Sequence, residues 1–188
     1  HRVVGSDTML GWAASQVGKT RAEEVGDLTI SMLRGEEGHQ ARELEELIGW
    51  LKTQPKPHVI SLSNSLLLGL AHRLKEAIGA PVVCLLQNEA PYIDSMPEEV
   101  HEEVWQIMAE RAQEIDQFIA PSAFYAGLMR DKLNLTAERV QVIHNGINHD
   151  GYSAERVAPN PPVVGFFSRM CKDKGLDTLV DAFIKMKQ

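Results

Sequence analysis

From Pro57 to Gly146 the chain alternates short apolar runs with helical stripes, and that alternation constrains the fold more than any other feature. H-V-I-S-L-S over His58–Ser63 follows a P-x-P stop and predicts a strand. Leu66 to Ile78 predicts a helix, ended by the stop signature Gly79-Ala80-Pro81. Pro81–Gln87 is apolar on both faces, as a buried parallel strand should be. Pro97 then opens a long helix in which Val100, Val104, Ile107, Met108 and Ile115 share one stripe. Gln117–Ala120 predicts the next strand, and Pro121-Ser122 starts a helix to about Leu133, with Ser122 placed to cap it or to begin its first turn. Val140–His144 is a fourth strand, closed by the turn pair Asn145-Gly146. The order β-α-β-α-β-α-β implies right-handed βαβ units and a parallel sheet covered on both faces, half or more of a doubly wound domain.

The flanks divide the chain further. Glu36–Lys52 predicts an amphipathic helix with Leu44, Leu47, Ile48 and Leu51 on its stripe, and Thr20–Arg34 a weaker one with Gly26 in its middle. Asn148–Pro162 carries Gly151 and three prolines without apolar periodicity and reads as a linker. Val163–Phe167 predicts a fresh buried strand, and the helix from Gly175 shows Leu176, Leu179, Val180 and Phe183 on one stripe. The expected organisation is a partial Rossmann-like domain over residues 1–147, a linker over 148–162, and the first β-α unit of a second domain over 163–188. The chain opens at His1 and stops at Gln188 inside a helical pattern, so a piece of a longer protein is expected.

Composition excludes several classes. Lys and Arg number 19 against 26 Asp and Glu, a formal net charge of −7, which argues against a general nucleic-acid binder. Apolar residues at 44% and charged residues at 24% fit a globular chain rather than a disordered one. No apolar run approaches the roughly 18 residues of a membrane span, and no charged-then-apolar leader stands at the start. Cys84 and Cys171 form neither a disulfide framework nor a metal spacing, and a cytoplasmic location is expected. The seven histidines make no ligand set. Trp105 and Met108 read as core, and Glu98, Glu99, Glu102 and Glu103 as a solvated first helical turn.

Two motifs point to anion chemistry. Ala13–Thr20, A-x-x-x-x-G-K-T, fits a relaxed phosphate loop in which Lys19 would meet terminal phosphates and Thr20 a magnesium ion. The preceding run is short, however, and Val82–Leu86 leads into Gln87-Asn88 rather than an acidic metal organiser. In the second motif, a strand delivers Arg169 at its carboxyl end while Lys174 opens the next helix. Ligands of open α/β sheets bind outside the carboxyl ends of strands, and a helix start favours an anion. Arg supplies a planar fork and Lys a mobile charge for a diphosphate.

The order V-Q-V-I-H-N-G-I-N, a Pro-containing linker with Tyr152, then V-V-G-F-F-S-R-M-C-K-D-K-G-L-D-T-L-V-D-A-F, resembles retaining, nucleotide-sugar-dependent glycosyltransferases of GT-B architecture, family 4 (glycosyl transferases group 1). P-H-V-I-S-L-S and I-D-Q-F-I-A-P-S follow the same family's strands, so the resemblance runs from about His58 to Gln188. It implies two Rossmann-like domains with the active site between them, and sugar transfer with retention from a nucleotide-diphosphate sugar without bound metal or other cofactor. No D-x-D occurs here, the motif of the metal-dependent transferases. By resemblance Arg169 and Lys174 fall on the donor-diphosphate positions, with Ser168 beside them in place of the usual Gly. Gln87 stands near the family's catalytic His; it could bond a sugar hydroxyl but not titrate. Asn148 replaces the usual Asp, and the family's N-terminal Gly-rich loop and its E-x-x-x-x-x-x-x-E motif are not seen.

The expected partners are therefore the nucleotide-sugar donor and a carbohydrate, lipid or small-molecule acceptor, in carbohydrate biosynthesis. Peripheral membrane association of the parent protein is compatible with this reading, and nucleic acid is not expected. The 188-residue piece itself is expected to be inactive. Its residues 163–188 are expected to pack on the first domain or to exchange with a second copy, giving a homodimer. Two alternatives stay open: a phosphate-loop NTPase using Ala13–Thr20, and a non-catalytic sugar-binding or scaffold module on the same fold.

Overall fold

The computed structural model describes residues 22–152, 159–170 and 174–187. The chain divides into two units, His1–Gly146 and Ile147–Gln188.

In the first unit, four strands form one parallel sheet: β1 (Ile60–Leu62), β2 (Val82–Leu85), β3 (Gln117–Ala120) and β4 (Val140–Val142), side by side in that order. The helices are α1 (Ala22–Arg34), α2 (Ala41–Leu51), α3 (Ala71–Ile78), α4 (Glu89–Asp94), α5 (Glu98–Arg111) and α6 (Ala123–Leu133). The fold is thus a Rossmann-like parallel α/β arrangement, as the alternation predicted. Gly79 ends α3 in the left-handed region (φ 66°) with its N–H on Lys75 O, and Ser122 Oγ caps α6 by accepting from Tyr125 N at 3.1 Å.

Register explains the core. Leu62, Cys84, Phe118 and Val140 stand opposite one another across the four strands, and all four are buried. The alternate row of Ser61, Val83, Gln117, Ile119 and Gln141 is only partly covered. Here the expectation of a sheet covered on both faces is corrected: among the described residues, one face carries the core. Successive strands always step the same way, and right-handed crossovers then put every connecting helix on one side. Met108, Ile115, Met129 and Leu133 fill that side with Phe118; each such side chain contributes about 1.5–3 kcal/mol when fully buried.

Several boundaries differ from the sequence reading. The segment expected as one helix from Leu66 begins as a 3-10 turn, Ser65–Leu70, and becomes α-helical at Ala71. The helix expected from Glu36 starts at Ala41, because Gly35 (φ 61°) and the extended Gly38 break the chain there. Leu47, on the predicted stripe, is 40% exposed, while Leu44 and Ile48 carry the packing. The short helix α4 was not anticipated. Gly26 does sit mid-helix, where a Cβ would approach Val100 of α5 to 2.6 Å. The two helices touch there because that position has no side chain.

In the second unit, α7 (Leu176–Lys187) forms as expected and carries Leu176, Leu179, Val180 and Phe183 beside Val164 and Phe166. The predicted buried strand Val163–Phe167 is corrected: these residues make no ladder, and Val163 is 70% exposed. A strand needs a hydrogen-bonded neighbour, and among the described residues of this unit none is offered.

Candidate functional site

The carboxyl ends of β1, β2 and β3 each feed a turn, and one carboxylate joins the three. Glu89, 5% exposed, opens α4 directly after the β2 turn. Its Oε1 accepts from the backbone N–H of Ser65, at the start of the β1 connection, at 2.8 Å. Its Oε2 accepts from the N–H of Gln87 at 2.9 Å and from the Tyr125 hydroxyl, on α6 after β3, at 2.9 Å. The Tyr125 oxygen in turn accepts from Ala90 N at 3.2 Å. Among the described residues no ion pair involves Glu89.

Burial pushes the Tyr125 phenol well above its ordinary range, and the Glu89 charge adds to this. It therefore stays protonated and donates. Burial likewise pushes the Cys84 thiol up, again helped by Glu89. Ser65 is fully buried, and its Oγ finds no partner among the described residues.

Around this buried knot lie exposed polar groups. Gln87 and Asn88 form the turn between β2 and α4, with both residues exposed. Asn64 turns its side chain inward to accept from Leu66 N at 3.0 Å. After β4, His144 is exposed and its Nδ1 lies 3.0 Å from Pro121 O, in hydrogen-bonding contact. Amide side chains both donate and accept, as a polyhydroxylated ligand requires.

Of the residues singled out from sequence, Gln87 is thus exposed just past the carboxyl end of β2. Ser168, Arg169 and Lys174 are all exposed in the second unit, Ser168 at a bend with Arg169 beside it, and Lys174 just before Gly175 (φ 69°) and α7. Ala13–Thr20, with Lys19, lies outside the described residues. Glu89, Tyr125 and Ser65 escaped the sequence reading; an acidic residue placed directly after an all-apolar strand was the available signal. Trp105 and Met108 are core, as read; the Trp105 Nε1–H donates to Asp94 at 2.9 Å.

A concavity of about 650 Å³ lies elsewhere, between α1 and the carboxyl half of α5. Its charges mostly satisfy one another, Arg34 with Glu103 at 2.8 Å and Arg111 with Glu36 and Glu37. It is a solvated ionic surface. Among the described residues no three His, Cys, Asp or Glu side chains gather around one point. None of the described helices is long and apolar enough to cross a membrane.

A parallel α/β sheet with its helices between successive strands defines a domain of the Rossmann-like class. Residues 13–150 match the family model described as Glycosyltransferase Family 4, and the chain belongs to that family. No curated protein and no solved structure gives a match. Sugar transfer is the general chemistry that this membership assigns.

Proposed function

We propose that the first unit is the acceptor side of a GT-B transferase that moves a sugar, with retention, from a nucleoside-diphosphate sugar to a carbohydrate, lipid or small-molecule acceptor. The family match over 13–150 carries this reading, because it falls on the sheet whose carboxyl ends present Gln87 and Asn88. In the reaction the bond from the anomeric carbon to the β-phosphate oxygen breaks, the acceptor oxygen bonds to that carbon, and its proton passes to the departing diphosphate oxygen. Gln87 hydrogen-bonds a sugar hydroxyl; a primary amide cannot take up the proton.

The leaving diphosphate gains negative charge, and Arg169 and Lys174, with Ser168 beside them, are the groups we assign to it. Arg169 supplies a planar fork and Lys174 a point charge at the start of α7. Preorganised cations of this kind stabilise charge as it develops, without a resident metal. The test is nucleoside-diphosphate release from a panel of UDP-, GDP- and ADP-sugars, measured in protein carrying a complete donor-side domain. Arg169→Ala and Lys174→Ala should each lower turnover well over tenfold, on the order of 3 kcal/mol per lost contact. Wild-type turnover in both variants would refute the assignment.

A further inference from the structure

Two carboxylates tie neighbouring strands of this sheet, one near each end, and they do so differently. At the amino end, Asp116 precedes β3, accepts from Val82 N at 2.7 Å and pairs with Lys75 at 3.0 Å. It is half-exposed and its charge has a cation. At the carboxyl end, Glu89 is buried, and its charge is met by neutral donors alone. A half-exposed, ion-paired carboxylate suffices to join two strands, so a mechanical tie does not require a buried carboxylate with no cation beside it.

The feature found only at the carboxyl end is what Glu89 holds. Its Oε2 fixes the N–H of Gln87, its own backbone follows Asn88, and its Oε1 fixes the Ser65 turn beside them. A carboxylate has acceptors only, and so it can take all three donors at once. The turn that carries two exposed amide side chains is thereby clamped from below. The Tyr125 phenol, kept protonated by burial, backs the clamp.

We propose that Glu89, backed by Tyr125, is a positioning residue for carbohydrate binding: it holds the Gln87–Asn88 turn rigid at the strand ends so that these amides receive sugar hydroxyls. This inference rests on the transferase reading above and adds a residue that does not itself touch the ligand. Binding by prearranged groups avoids the ordering cost that a mobile turn would impose.

The experiment compares the 188-residue chain with Glu89→Gln, Tyr125→Phe and Gln87→Ala. Amide hydrogen exchange is followed at Ser65, Gln87, Val83 and Phe118. Ligand-observed NMR is run with the methyl glycosides of glucose, mannose, galactose and N-acetylglucosamine. In Glu89→Gln and Tyr125→Phe, the Gln87 amide should exchange about tenfold faster while Val83 and Phe118 keep their protection. Glycoside binding should fall about fivefold or more in both. Gln87→Ala should lose glycoside binding without loosening Ser65.

Faster exchange with glycoside binding unchanged would overturn the proposal, since the carboxylate would then be structural only. Unchanged exchange would overturn it too, as would a wild-type chain that binds none of the four glycosides. If Glu89→Gln loses protection throughout the sheet, Tyr125→Phe, which keeps the carboxylate and its backbone donors, decides. The donor-release assay fails or succeeds independently, so loss of the transferase reading is told apart from loss of this one.

Discussion

Gly69 is where the first unit should be least tolerant of added atoms. It lies in the 3-10 turn that starts at Ser65, one of the residues bonded to Glu89, and it packs directly on the last turn of α1. A Cβ at Gly69 would stand 2.6 Å from the Leu33 carbonyl oxygen and closer still to that of Met32, where contacts below 3.0 Å essentially never occur. Both obstacles are backbone, so no side chain can swing away, and a Cβ at Gly35 (φ 61°) would in turn meet the Gly69 carbonyl. α1 must therefore shift by several tenths of an ångström or more. Overpacking of this kind costs about 3 kcal/mol, the upper end of its usual range, because backbone resists on every side. For a domain of this size that lowers Tm by roughly 10 °C. Gly49 supplies the opposite case: it lies exposed in α2 with nothing within 4 Å of its would-be Cβ. Gly49→Ala should raise stability by about 0.5–1 kcal/mol through helix propensity alone. Urea titrations followed by circular dichroism at 222 nm read both. Gly69→Ala within about 0.5 kcal/mol of the parent chain, inside the scatter expected of surface changes, would refute the reasoning.

Three further outcomes are expected. Cys84 is fully buried and its thiol is pushed above the ordinary range, so iodoacetamide should modify it only after denaturation, as peptide mapping would show; prompt labelling of the folded chain would contradict this. Asp116 loses some solvation on burial, but its bonds to Val82 N–H and Lys75 outweigh that and hold its carboxyl below the usual range. A lowered folded pKa means stability that is present above the unfolded value of about 3.9 and is lost as pH falls through the folded value. Asp116→Asn should therefore narrow the gap in urea midpoint between pH 6 and pH 3, and an unchanged gap would count against it. Finally, Val163, Val164 and Phe167 are exposed without a ladder partner, and we expect the 188-residue chain to self-associate through residues 163–188. Light scattering should show a larger species than a chain ending at Ala158, and equal monomers would refute it.

The elements that were legible are those whose cause is local. Gly79 ends α3 because an adjacent left-handed residue releases the helix, and Ser122 caps α6 because its hydroxyl reaches an N–H three residues on. The apolar run of Val82–Leu86 needs no knowledge of its partners to read as a strand. Leu47 shows the limit: a spacing of three and four admits it to the stripe, yet the side of α2 that meets the protein is decided by where α3 lies, and Leu47 falls off its edge. The one-sided sheet is a similar case, since alternating elements announce parallel pairing but not whether successive strands step onward or turn back.

Glu89 was illegible for a stronger reason. Its donors come from 24 residues before it and 36 after, and only the parallel stacking of β1, β2 and β3 brings them to one point. A carboxylate beside an asparagine is, taken by itself, a solvated group; three converging donors make it a buried one. The same stacking explains why polar groups gather at this end. Each strand enters its turn just where the chain must leave the hydrocarbon core, so backbone N–H groups stripped of their ladder partners collect there and must be satisfied. A single acceptor-only side chain can serve several of them, and the neighbouring Gln87 and Asn88 stay exposed to solvent.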